Sequence, residues 1–341
     1  MPNRLHAAAA ALTLGLTMAV ALLAAGPAAA ETAEVRIAQQ FGISYLPLIV
    51  MKEQHLLEQA AVEAGLPKPT VTWTQFSGAA AMNDALISGN LDVATAGAGA
   101  MIIVWARTHA SLKITGVAAL GAMPNLLTTS NPRIKTLADF TDKDRIALPA
   151  IKIGAQAVML QMAAEQAFGA GQQNRLDDIT VSMAHPDATA ALLGGASEID
   201  AHFTSPPFSD QELADPRIHK VLSSYDVMGG PATFNVLYAP EKFHSANPRT
   251  YRALLTALDR AMAAIKADPA AAAALYIEAE NSKLAPAFVE AIIRNPANDF
   301  TATPLQTLKT ARFLYKTGAI KIEATDWRDL FFPEIHDRPG S

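Results

Sequence analysis

Three short runs of small residues are where this chain could do chemistry. Ser77-Gly78 lies in "TQFSGAAAMNDALISG", Gly97-Ala98-Gly99 in "DVATAGAGAMI" and Gly154-Ala155 in "PAIKIGAQ". Each stands where a strand-like segment gives way to a helix-like one. The first N–H groups of a helix have no partner inside it, and the helix dipole adds positive potential, so such turns favour an anion. Ser77 can cap its helix or offer a hydroxyl. Gly78 lets a ligand approach the main chain, with Ala79 opening the helix behind it. The same residues also suit plain capping and close helix–sheet packing. Repetition raises the ligand reading, because all three turns fall at the carboxyl ends of strands, where open α/β sheets bind ligands.

The side chains nearby suggest recognition rather than catalysis. Lys152 is the one cation at a proposed turn; a dianion would call for it, and a solvated surface lysine is the other reading. Tyr45, at a loop-to-helix entry, could stack on a ligand or hydrogen-bond to it. Asn125, Thr204, Ser205 and Asn235 are neutral hydrogen-bonding candidates, and Phe41, Phe203, Phe208 and Phe234 could form an apolar wall or pack in the core. Ser77 lacks the first glycine of a nucleophile elbow, since Gln75 stands there. "GAGAMI" has Ile102 where a dinucleotide turn needs its third glycine, and no phosphate-loop G-K-[ST] occurs. The 8 histidines are scattered singly, and none makes the i, i+4 pair of a helical zinc site. Only His202, beside the proposed cleft, invites attention as a contact. No catalytic residues, metal ligands or cofactor are expected.

Composition narrows the class. With 341 residues, 50% hydrophobic and 17% charged, the chain can bury a large core and suits two lobes. A net charge of -5 argues against a nucleic-acid partner. Residues 1–30 combine Arg4, an apolar run and "AAA" before Glu31, the pattern of a secretory signal with cleavage expected after Ala30. No cysteine is present, so a lipid-anchored form, disulfides and thiol chemistry are excluded.

Strand-like and helix-like segments alternate from 34–40 to 112–120, and again from 125–130 to 199–205. This rhythm implies parallel pairing with right-handed crossovers. Expected elements include helices over 45–65, 79–89, 101–109 and 154–171, and a capping box at Thr136 and Asp139. After "GGPATFNVLYAP" the chain turns helical over 248–267, 269–280, 284–294 and 304–317. The second unit is too short to be followed by so much helix unless the chain returns to the first. The expectation is lobe I over 31–123 plus 232–341 and lobe II over 124–231.

Several of these segments carry a resemblance. "ISYLPLIVMKEQHLLE", "FSGAAAMNDALISGNLDVATAGAGA", "IKTLADFTDKDRIALPA" and "FLYKTGAI" followed by "DWRDLF" resemble the solute-binding proteins of ABC importers. The nearest group is the nitrate/sulfonate/taurine one, which also includes binders of pyrimidine thiamine precursors. The resemblance implies an α/β, two-lobed, type II periplasmic-binding fold with a two-strand hinge, a monomer, a periplasmic location, and delivery of a small organic anion to an inner-membrane ABC permease. It carries over Tyr45, Ser77, Gly78, Gly97 to Gly99, the Gly154 turn and the segment after "IDAHF". "AIKIGAQ" lacks the hydroxyl pair common at that turn, and "HFTSPPF" replaces an aspartate–aromatic lining. A sulfonate, a taurine-like solute or an aromatic or branched carboxylate all fit. A pyrimidine thiamine-precursor binder and an exported enzyme remain the alternatives.

Overall fold

The computed structural model describes residues 31–195 and 198–341. The export signal and its cleavage point, expected at residues 1–30, lie outside the described residues. Among those described, no helix is long and apolar enough to cross a membrane.

Lobe I begins with β1 (Glu34–Gln39), whose Val35 and Ile37 are fully buried. The helix expected over 45–65 is two helices, α1 (Leu46–Glu53) and α2 (Leu56–Glu63). His55 between them adopts φ 54, a left-handed conformation no helix interior tolerates, so the axis turns and Leu57 enters the core. Then follow β2 (Thr70–Gln75), α3 (Ala79–Ile87), β3 (Ala94–Gly97), α4 (Ala98–Thr108) and β4 (Thr115–Ala119). Lobe II holds β5 (Leu126–Thr129), β6 (Ile146–Leu148), α5 (Ala155–Phe168), β7 (Thr180–Ser182), α6 (His185–Gly194), β8 (Ala201–Thr204), α7 (Phe208–Leu213), β9 (His219–Ser223) and α8 (Ser224–Met228). The chain returns to lobe I as β10 (Asn235–Ala239) and closes with α9 (Glu241–Ala246), α10 (Pro248–Ala267), α11 (Pro269–Ala279), α12 (Pro286–Arg294) and α13 (Thr307–Lys316).

The two sheets share one topology. The pair β1–β2 and the sheet β3-β10-β4 are linked by a parallel bridge between Ile37 and Val93, giving the order β2-β1-β3-β10-β4. The lobe II sheet is five-stranded in the order β7-β6-β8-β5-β9. All-parallel pairing is not what forms. In each sheet one strand, β10 or β5, runs antiparallel to both neighbours. These are the two strands that arrive directly from the other lobe, so they enter from the opposite end.

The crossings between lobes lie side by side. Ala122 bridges Thr233, Leu120 N–H donates to Asn235 O at 2.9 Å, and Phe234 N–H donates to Gly121 O at 3.1 Å. Asp299 pairs with Ala122 on the far side through bonds of 2.8 and 2.9 Å. Gly121 has φ +151, and a Cβ there would sit 2.5 Å from Asp299 O, so only glycine fits. The C-terminal helices cover lobe I: Leu254, Ala257, Leu258, Ala261 and Ile265 recur at helical spacing along α10 and are all buried.

Candidate functional site

The strand-to-helix turns do converge. A cavity of about 20 Å³ lies between the lobes, at the carboxyl ends of strands from both sheets. Lobe I lines it with Gln40, Phe41, Tyr45, Ala79, Gly97, Phe234 and Asn235; lobe II contributes Pro149, Ala150, Gly154, Ala155, Gln156 and His185. Three helices begin at this space: α3 at Ala79, α5 at Ala155 and α6 at His185. Their first amides and dipoles make it electropositive although, among the described residues, no Lys or Arg side chain lines it. A second cavity of about 30 Å³ adjoins it through Ala155 and Phe234, and is lined by Ala98, Gly99, Met123 and Asn125 among others.

The lining is polar where it counts. Asn235 is buried; its Nδ2 donates to Ser44 Oγ at 2.8 Å, and its Oδ1 has no protein partner. A buried carbonyl without a donor costs free energy of order 1–3 kcal/mol, so this atom favours a ligand that can donate to it. Burial pushes the Tyr45 phenol well above its ordinary range, with the neighbouring Tyr238 adding to this and Asn235 opposing it. It is therefore a neutral hydroxyl on the wall.

The expected site residues divide into groups. Tyr45, Ala79, Gly97, Gly154, Ala155 and Asn235 line the first cavity, and Ala98, Gly99 and Asn125 the second. Ser77 is exposed and lines neither; Gly78, not Ser77, is the N-cap of α3, and no side chain caps that helix. Lys152 is exposed at φ 65, its charge acting on Asp177 rather than on the cavity. Thr204 and Ser205 are fully buried behind the lining.

The turns are also more fully occupied than unsatisfied donors would be. Ala98 N–H already donates to Phe234 O at 2.9 Å, and Gly154 N–H to Ala150 O at 3.1 Å. The lobes meet across the turns themselves: a Cβ on Gly78 would lie 2.5 Å from Pro149 O, and one on Gly97 2.2 Å from Ala155 Cβ. Ile43 N–H of lobe I donates to Pro206 O of lobe II at 3.1 Å. The small residues thus serve close approach of the two lobes.

Sequence reasoning missed Gln156 and His185. Gln156 Nε2 donates to Asn125 Oδ1 at 2.8 Å and lies 3.4 Å from His185 Nε2. His202 is wholly buried and reaches the cavity only through His185. The signal available was "MAHPDATAALL", a histidine followed by Pro186, which is tolerated in the first turn of a helix. Among the described residues, no group of three or more His, Asp or Glu is arranged to hold a metal ion. Larger grooves exist, one of about 770 Å³ lined by Tyr225, Lys266 and Arg294 among others, but it lies away from the strand-to-helix turns.

No curated protein matches the sequence. Among solved structures, the chain is similar to the alkanesulfonate-binding protein SsuA from Xanthomonas axonopodis pv. citri bound to MOPS, with a TM-score of 0.67 at 20% identity over 86% of this chain and 96% of that one. It is similar to the periplasmic aliphatic sulphonate binding protein SsuA from Escherichia coli, with a TM-score of 0.61 at 19% identity over 87% and 98%. It is also similar to the periplasmic nitrate-binding protein NrtA from Synechocystis PCC 6803, with a TM-score of 0.64 at 15% identity over 84% and 81%. These likenesses establish the two-lobed periplasmic-binding fold. Residues 28–278 match the sequence model of the NMT1-like family, and the chain belongs to that family.

Proposed function

We propose that this member of the NMT1-like family is the periplasmic solute-binding component of an ABC importer. It captures a small organic anion between its lobes and delivers it to an inner-membrane permease. The observation that carries the reading is the meeting of three helix N-termini, from both lobes, on one cavity. The named ligands of the structural neighbours, sulfonates and nitrate, are anions of the class such a wall would favour.

The mechanism follows from the volume. A cavity of about 20 Å³ has room for roughly one water, so an organic anion enters only when the lobes part. The paired crossings at Gly121–Ala122 and Thr233–Phe234 are where such a hinge would bend. A solute that touches both lobes favours the closed state by the contacts it gains there. Neutral walls at Phe41, Phe234 and Tyr45 would leave selectivity to shape, accommodating a sulfonate, a taurine-like solute or an aromatic or branched carboxylate. A pyrimidine precursor would call for an acidic partner, and no carboxylate lines the cavity.

A thermal-shift screen with alkanesulfonates, taurine, nitrate, aromatic and branched carboxylates and pyrimidines tests the reading. A true solute at 100 times its Kd should stabilise the protein by about 2.7 kcal/mol without being consumed. Stabilisation by pyrimidines alone, or turnover of the added compound, would contradict it.

A further inference from the structure

A line of buried polar side chains runs from the cavity into the core of lobe II. Gln156 and His185 are its cavity end. His185 Nδ1 lies 2.8 Å from His202 Nε2, and His202 Nδ1 lies 2.6 Å from Glu212 Oε1. Thr189 Oγ1 donates to Glu212 Oε1 at 2.7 Å, and Thr128 Oγ1 to Oε2 at 2.6 Å. His202 and Glu212 are completely buried. A carboxylate held this way is served entirely by donors, and a buried charge needs a counter-charge. Among the described residues, no Lys or Arg bonds to it; the His202 imidazole lies against it, with His185 one bond farther.

Counting protons along the line gives two states. With Nδ1–H of His202 on Glu212, and Nδ1–H of His185 on His202 Nε2, both rings are neutral and His185 Nε2 turns a lone pair toward the cavity. Add one proton from solvent at His185 Nε2, and the Nδ1 proton of His185 can pass to His202 Nε2. The charge then sits on His202 against Glu212, while His185 stays neutral with its N–H on the other nitrogen. No electrons move. Burial, and then the nearby His202, hold the imidazolium of His185 far down; His202, at 2.6 Å from Glu212, has the carboxylate partner that His185 lacks.

We propose, building on the solute-binding reading above, that Glu212, His202 and His185 form a proton-loaded donor which lets the cavity take up its anion together with one proton. In the unloaded state, the His185 Nε2 lone pair accepts from Gln156 Nε2 at 3.4 Å and offers an anion no donor. In the loaded state both nitrogens are donors, that bond is lost, and an anion oxygen placed against both would replace it. Proton and anion therefore favour each other's binding.

The other groups around His185 do not supply this switch. Phe208 stacks on it at 5.4 Å and is apolar. Asp210, on the same helix as Glu212, is pushed up by burial and bonds Ser209. Asp187 is exposed on α6, and the Tyr45 phenol across the cavity is held neutral by burial.

Two measurements on the full chain test the proposal. Histidine 15N shifts followed from about pH 8.5 to about pH 5 should show His202 becoming doubly protonated while His185 exchanges Nδ1–H for Nε2–H. Calorimetry of ethanesulfonate and benzoate in phosphate and in Tris should show about one proton taken up per anion bound, with affinity falling about tenfold per pH unit on the alkaline side. Glu212→Gln should abolish the uptake, and His185→Gln, a permanent donor, should bind with no pH dependence. Neither ring changing, or His185 itself becoming the imidazolium, would overturn the proposal. Anion binding without proton uptake would also overturn it while leaving the solute-binding reading intact. If no anion stabilises the protein, the solute-binding reading falls, and the 15N shifts still decide the proton line.

Discussion

Gly97→Ala should act as a wedge between the lobes. The backbone at Gly97, φ -58 and ψ 148, is ordinary for alanine, so lobe I should fold with the substitution in place. The new Cβ, however, would lie 2.2 Å from Ala155 Cβ of lobe II. Non-bonded carbons settle at about 3.5–4.0 Å, so the lobes must withdraw locally by roughly 1.5 Å. Overpacking of this kind costs about 1–3 kcal/mol. Because the clash exists only when the lobes are together, that cost falls on the closed state and should weaken solute affinity by about 5- to 150-fold. The chain has no cysteine, so spin labels on cysteines placed at exposed Ser88 and Lys143 report the interlobe distance without background. The distance distribution should shift outward in Gly97→Ala, with little change in melting temperature. Ala155→Gly in the same chain should reverse most of the shift, leaving only the tighter contacts of the added Cβ with the Cα and N of residue 155 at 3.1 and 3.2 Å. An unchanged distribution, or failure of the second substitution to rescue, would refute the reasoning that closure is limited by contact between these two turns.

Three further outcomes follow from the same structure. Gly121→Ala forces a side chain into a left-handed backbone against Asp299 O at 2.5 Å, and should lower stability by more than about 1 kcal/mol in urea titration. Tyr238→Phe removes the 2.5 Å bond to Asn83 Oδ1 and leaves that buried acceptor unpaired, an expected loss of about 1–3 kcal/mol by the same assay. Although burial works to raise it, Asp144 is held below its ordinary value by bonds from Thr141 and Arg133. A depressed carboxylate stabilises the fold above its unfolded pKa and loses that contribution as pH falls through the folded one, so Asp144→Asn should flatten the acid limb of the stability profile below about pH 4.

The sequence showed the rhythm of the fold better than its pairing. Period-2 alternation and small-residue turns locate β1, β2, α3, β6 and α5, and the capping box at Thr136 and Asp139 forms as expected. The reversed strands β5 and β10 were not legible, because direction is set by which lobe the chain arrives from rather than by local pattern. The short α7, β9 and α8 went unread because "PPFSDQELADPRIHKVLSSYDVM" is mixed in polarity; its order comes from packing on β5 and α5. The glycine turns read as anion sites lie where the lobes meet, and composition cannot say whether a glycine clears room for a solute or for the opposite lobe. Gly78 and Gly97 do the latter in this structure. The line from Asn125 to Glu212 was unreadable for a different reason: its members are scattered over four elements and the loop before β5, and only tertiary packing joins them.

The most direct measurement is a crystal structure with the tightest-binding anion of the screen. Anion oxygens should lie about 3 Å from the amides that open α3 at Ala79 and α5 at Ala155–Gln156. An anion lodged instead in the groove lined by Tyr225 and Arg294, with the Gly78 and Gly97 turns still pressed against Pro149 and Ala155, would contradict it.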